Sequence, residues 1–310
     1  MSQRRTSRRN HSTMGGHASR FTPFTFARYT VACERHPNRN EDNLLTDEYT
    51  GLAAVFDGVG GSAAGEIASQ MAVHATRHSW KQALLHQQKE RKVYSLLQDG
   101  EKACAIIEDL VIAADEQVRT EGAHRAGTND LATTVALAAL CEQPGQRGYT
   151  MVYAHVGDSR IYLLRPDEPL QRLTSDDGLL AKLVENQIIN ERDALRIDQA
   201  MRADQLSDTE YSYFRLRGGI TQALGGPQAP AIHLDRVAVY PGDRILLCTD
   251  GIHDNLTDEE IGTILRTGPR ASVARLLIEH SVARSQQDRD MTVRAKPDDM
   301  TAIVITCRQV

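Results

Sequence analysis

Short β-branched or aliphatic runs recur along the chain at 24–33, 52–56, 133–140, 150–155, 160–164, 236–239, 244–248 and 301–306. Runs of this length and composition predict strands. Between them lie longer stretches with apolar residues at helical spacing. That spacing predicts helices over 65–88, 102–118, 179–189, 191–201 and 270–284. Thr257 and Glu260 spell T-x-x-E before an apolar run, a capping box that starts one more helix. Strands and helices do not alternate regularly. The pattern therefore predicts an α+β layered fold with antiparallel sheets rather than a parallel doubly wound one.

Composition changes this picture at one end only. Residues 1–22 are polar and carry Arg4, Arg5, Arg8 and Arg9 with no apolar stretch behind them. They read as a disordered tail or a basic contact arm, not as a secretory signal. Residues 23–310 read as one domain, without an internal repeat. No run of about 18 apolar residues occurs, so no membrane span is expected. A net charge of -5 gives no nucleic-acid signature. The five cysteines are scattered and odd in number, with no C-x-x-C pair. That excludes a zinc knuckle or disulfide framework and fits a reducing, cytoplasmic compartment.

Acidic residues gather where apolar runs end. Leu52–Phe56 leads into Asp57-Gly58, and 245–248 leads through Thr249 into Asp250-Gly251. Asp158 lies in a turn between two predicted strands. Asp298 and Asp299 open the last strand, and Glu41 and Asp42 precede Leu44 and Leu45. Asp-Gly is foremost a hairpin signal. A plain hairpin returns directly into a strand, whereas Asp57-Gly58 and Asp250-Gly251 both run toward helices. Carboxylates at strand ends can converge on one edge, where they repel unless cations neutralise them. Hard ions such as Mg²⁺ and Mn²⁺ take such oxygen ligands. No histidine and cysteine zinc pattern, phosphate-binding P-loop or G-x-S-x-G elbow is present.

Eight segments in order resemble the metal-dependent protein phosphatases, the type 2C Ser/Thr family, with the bacterial branch closest. They are Asn40-Glu41-Asp42-Asn43, Val55-Phe56-Asp57-Gly58-Val59-Gly60-Gly61, Ala132-Thr133-Thr134-Val135, His155-Val156-Gly157-Asp158-Ser159-Arg160, Leu173-Thr174-Ser175-Asp176-Asp177, Ile220-Thr221-Gln222-Ala223-Leu224-Gly225, Leu247-Cys248-Thr249-Asp250-Gly251 and Asp298-Asp299-Met300-Thr301. The resemblance spans about 24–308. It implies a four-layer α-β-β-α sandwich, two antiparallel β-sheets flanked by helix pairs. It implies two divalent cations, Mn²⁺ or Mg²⁺, with Asp57 bridging both and Gly58 offering its carbonyl. Asp250 and Asp298 would complete one ion, and Asp158 with Asp250 would hold a weaker third. Glu41 and Asp42 would act near the metals through waters, and the Thr133-Thr134 pair would be structural. Two ions about 3.5–4 Å apart activate a water that attacks phosphorus in line, so no protein nucleophile is needed.

The chain departs from the family at several places. Pro37 stands where the family's phosphate-contacting arginine is usual, with Arg35 and Arg39 on either side. Either could supply a guanidinium fork for phosphate oxygens. No histidine follows Asp57-Gly58, Asp299 replaces the usual Asn, and Gln222 replaces a common arginine. A charged stretch within about 177–218 would hold the flap beside the site. His155, His233 and His253 read as structural. The expected activity is hydrolysis of phosphoserine or phosphothreonine proteins by a monomer in bacterial signalling, opposing a Ser/Thr kinase, without nucleic acid. A non-catalytic binding domain and a phosphatase for small esters are the competing readings.

Overall fold

Alternation along the strands sorts their side chains into separate cores. The computed structural model describes residues 23–59, 64–87, 97–98, 100–128, 130–142 and 148–308. The segment 1–22 lies outside the described residues, as do Gly60, Gly61 and Ser62 of the motif that follows Asp57. One sheet orders β1 (Phe24–Val31), β11 (Met300–Cys307), β10 (Arg244–Cys248), β7 (Arg160–Leu164) and β8 (Gln171–Arg172). The other orders β2 (Asp42–Asp47), β3 (Leu52–Val59), β5 (Val135–Glu142), β6 (Tyr149–Val156) and β9 (His233–Val239), with β4 (Ala132–Thr133) beside β3. Each of these strand pairings is antiparallel.

The two-residue period of a strand sends neighbours to opposite faces. In β3, Ala53 and Val55 enter the core between the sheets. Leu52, Ala54 and Phe56 turn instead to helices α1 (Ala64–Gln87) and α2 (Gly100–Gln117). In β10 and β11, Ile245, Leu247, Ile303 and Ile305 meet the other sheet. Leu246, Ala302 and Val304 face α8 (Asp258–Thr267) and α9 (Val273–Ser285). The result is the expected four-layer α-β-β-α sandwich. Burial on both faces explains why these strands read as continuous apolar runs. Thr257 accepts a hydrogen bond from the Glu260 amide, and the Glu260 side chain returns to the Thr257 amide, so the predicted capping box starts α8.

Several elements were not foreseen. β2 contains only two aliphatic residues, Leu44 and Leu45, and its sequence alone does not pick it out. After α2 the chain makes a π-turn, Val118–Gly122, and the short α3 (Ala123–Ala126). Within 177–218 the predicted α4 (Leu179–Glu185) and α5 (Glu191–Asp198) are joined by an unforeseen α6 (Asp208–Arg215). These helices share a small core of Ile197, Ala200 and Phe214. α7 (Asp250–His253) is a single turn where only a turn was expected.

Leu247 is fully buried between the sheets. Leu247→Ala leaves a cavity there and is expected to cost about 2–5 kcal/mol. The midpoint of urea unfolding, at unchanged slope, measures it.

Candidate metal centre

Register brings the first two carboxylates together. In the β2–β3 ladder Asp42 stands directly opposite Asp57. Like charges in that relation repel. Burial raises the Asp57 pKa well above the ordinary carboxylate range, and Asp250, Asp42, Asp298 and Asp158 push it further. Asp42 is raised chiefly by burial; the hydroxyls of Thr249 and Thr301 hold it partly back. Thr249 donates to Asp42 at 2.7 Å. Asp158 is raised by burial and then by Asp250 and Asp176. Asp250 is raised by burial, against the pull of Lys296. These carboxylates come from the ends of β2, β3, β6 and β10, so both sheets contribute to one rim.

Backbone hydrogen bonds fix the ligand strand. The Asp57 carbonyl accepts from the Thr134 amide at 2.8 Å and the Thr133 hydroxyl at 2.9 Å. The Asp57 amide donates to the Thr134 hydroxyl at 3.2 Å, and that hydroxyl pairs with Ser159. The Gly58 amide donates to the Glu41 carbonyl at 3.1 Å. A side chain at Gly58 would lie 2.2 Å from the Gly65 carbonyl oxygen and 2.7 Å from that of Glu41. Only glycine allows β3, α1 and Glu41 to meet this closely. At the turn before Asp158, Gly157 takes φ 96° with its open face against Thr134.

Asp298 and Asp299 divide their tasks. The Asp299 carboxylate accepts from the amides of Cys33 and Glu41, both at 2.6 Å. It thus pins the 33–41 loop that carries both candidate arginines. In that loop Arg35 is exposed, whereas Arg39 is half-buried with its Nε 3.4 Å from Glu41. Burial raises Glu41, and Arg39 opposes the rise. Gln222 accepts from the Ala231 amide.

Among the described residues, no three histidine, cysteine, aspartate or glutamate side chains converge closely enough to hold an ion. Acidic oxygens converge instead on an ammonium. Lys296 Nζ lies 2.5 Å from Asp250, 2.7 Å from Asp254 and 3.0 Å from Asp298. The donor set nevertheless fits hard divalent cations. Every side-chain donor is a carboxylate oxygen, and burial together with the neighbouring carboxylates raises Asp57, a penalty that a cation relieves.

Sequence reasoning missed Lys296, Asp254 and Arg217. Asp254 lies four residues beyond Asp250 and shares its helical face; that spacing was visible once α7 is known. Arg217 reaches Asp254 at 3.3 Å from the end of the 177–218 segment. Arg160 and Arg294 are fully buried. Arg160 grips Asp176 at 2.5 Å and Asp198 of α5 at 3.2 Å. Arg294 donates to the carbonyls of Asp198 and His253. Burial alone would raise Asp176 and Asp198, but the arginines more than offset it and hold both low. His253 is buried and faces the Asp158 carbonyl at 3.0 Å.

Residues 32–289 match the family profile described as protein phosphatase 2C. The serine/threonine protein phosphatase PstP of Mycobacterium tuberculosis is 31% identical over 263 residues, covering 81% of this chain and 41% of that protein. The chain thus spans about two fifths of the length of that curated relative. The crystal structure of the M. tuberculosis serine/threonine phosphatase PstP/Ppp superposes with a TM-score of 0.67 at 25% identity, covering 92% of this chain and 99% of that one. The catalytic domain of PstP in complex with two manganese ions gives 0.64 at 25% identity, with the same coverage.

His155 stacks on His233 at 4.7 Å. Burial, and then the neighbouring imidazole, lower the His155 pKa to about 4. The unfolded chain, with an ordinary imidazole near 6.5, binds this proton first. Its stabilising contribution is therefore full above about pH 6.5 and is lost as pH falls toward 4, by about 1.4 kcal/mol per pH unit. His155→Phe should remove that component from a pH series of urea melts.

Proposed function

Since the chain belongs to the protein phosphatase 2C family, we propose that it is a metal-dependent serine/threonine phosphoprotein phosphatase. The observation that carries the reading is the rim of mutually repelling carboxylates around Asp57, built from the ends of both sheets. Asp57, the Gly58 carbonyl, Asp250 and Asp298 would hold two Mn²⁺ or Mg²⁺ ions, and Asp158 with Asp250 a third. When bound, such ions supply an activated water and Lewis acidity toward phosphoryl oxygens.

The chain's own residues do the rest. β2 and β3 fix Asp42 opposite Asp57, and the Thr133-Thr134 pair keeps the Asp57 backbone still. Asp42 and Glu41 orient water beside the ligands. Arg39, half-buried and paired with Glu41, would grip substrate phosphate. Arg35, exposed, is the second candidate. The 177–218 segment forms the wall next to Asp176 and Asp177, with a cavity of about 650 Å³ beneath α4 and α5, where the protein part of a substrate would lie. No helix among the described residues is long and apolar enough to cross a membrane. A monomer opposing a Ser/Thr kinase in bacterial, cytoplasmic signalling completes the reading.

Hydrolysis of an aryl phosphate and a phosphothreonine peptide, with and without Mn²⁺, tests it. Activity should require Mn²⁺ and favour the peptide. Outer partners of metal ligands already contribute 10–100-fold, so Asp57→Ala should lose more than about 100-fold. Metal-independent turnover, or an active Asp57→Ala protein, would sink the mechanism. Preference for small esters would move the substrate class. No binding of Mn²⁺ would leave a non-catalytic binding domain.

A charge-assisted hydrogen bond is worth about 1.5–3 kcal/mol. Arg39→Ala should therefore lower kcat/KM by about 10- to 150-fold, mainly through KM. Arg35→Ala should change it by less than about threefold. The reverse ranking would assign the phosphate to Arg35.

A further inference from the structure

Lys296 is held in place by more than its charge. Its amide donates to the side-chain oxygen of the fully buried Asn255 at 3.1 Å, and its carbonyl accepts from the Asn255 amide group at 2.8 Å. Asn255 also donates to the Gly251 carbonyl at 2.9 Å. The lysine backbone is thereby clamped to the turn that starts with Asp250. From there the ammonium reaches Asp250, Asp254 and Asp298 together. Two of those three carboxylates are the ones assigned above to a divalent ion.

The three carboxylates are not equivalent. Asp254 has a second cation, since Arg217 Nε lies 3.3 Å from it and Arg217 Nη2 donates to its carbonyl at 3.2 Å. Among the described residues, Asp250 and Asp298 have their cationic contact within 4 Å from Lys296 alone. A dication attracts a carboxylate at a given distance about twice as strongly as an ammonium does. An ion arriving between Asp57, Asp250 and Asp298 meets a site already neutralised in part by a tethered charge.

We propose that Lys296 is an internal counter-ion that competes with divalent metal. It holds Asp250 and Asp298 together in the metal-free chain. It yields both to the incoming ion while staying on Asp254. The lysine thus sets how tightly the site takes metal. It makes metal-free protein more stable and metal affinity weaker than the carboxylates alone would give. The inference rests on the phosphatase reading of the same cluster.

Calorimetric titration with Mn²⁺ and thermal melting of metal-free protein test it, neither of which reads activity. Lys296→Met should bind Mn²⁺ at least about tenfold more tightly. It should also melt lower without metal, by about 4 °C or more. A merely structural lysine would lower stability and affinity together, so weaker Mn²⁺ binding overturns the inference. Equal affinity and equal melting overturn it too, and leave the phosphatase reading standing. If neither protein binds Mn²⁺, that reading falls and takes this inference with it. Should the variant not fold, wild-type protein labelled with ¹⁵N-lysine gives the answer. One side-chain ammonium resonance, protected from exchange without metal, should shift and lose protection when Mg²⁺ saturates the protein. A protected resonance unchanged by Mg²⁺ overturns the inference.

Discussion

Asp42 and Asp57 face each other across adjacent strands, with Asp158 following β6 of the same sheet and Asp250 following β10 of the other. Carboxylates this crowded favour separation, and water alone cannot screen them where they are buried. The surrounding elements act against that separation. β3 is pinned through the backbone of Asp57, the 33–41 loop is pinned through Asp299, and α7 is pinned through Asn255. The sandwich behind them is apolar on three levels. It keeps the strand ends where repulsion would otherwise spread them. Stability of the body is thus a condition for the acidic rim.

The same constraint explains the second set of buried charges. Arg160 and Arg294 sit under the 177–218 segment and satisfy Asp176, Asp198 and a series of carbonyls. Here the charges pair inside the chain, and their carboxylates are held low rather than raised. One acidic group is neutralised by arginine, whereas in the other, among the described residues, Asp250 and Asp298 have their cationic contact within 4 Å from Lys296 alone. That difference separates a structural cluster from a binding one more sharply than the count of aspartates does.

Much of the body was legible because it obeys local rules. The runs at 160–164 and 244–248 coincide with β7 and β10, and the Thr257 box opens α8. β2 was hidden because its pairing with β3, not its composition, makes it a strand. α6 was legible but overlooked: Ser207 and Glu210 form a capping box just like that at Thr257. The candidate ligands stood out through motif order. What the sequence could not supply was the register of Asp42 on Asp57, or the approach of Lys296 to Asp250 across 46 residues. Both depend on long-range pairing. The different burial of Arg35 and Arg39, and the pairing of Arg39 with Glu41, are likewise not encoded by spacing.

Asp299 joins two regions that the linear order keeps far apart. Its carboxylate holds the amides of Cys33 and Glu41, and its own amide donates to Asp298 at 2.9 Å. A shift of Asp298 by an ångström is therefore felt one peptide bond later by the loop that bears Arg39. Each amide here has its own carboxylate oxygen, whereas an asparagine would offer the two amides one shared acceptor oxygen. With aspartate in its place the N-terminal loop and the start of the last strand are tied through one side chain, so the segment bearing Arg39 and the segment bearing Asp298 share a single anchor.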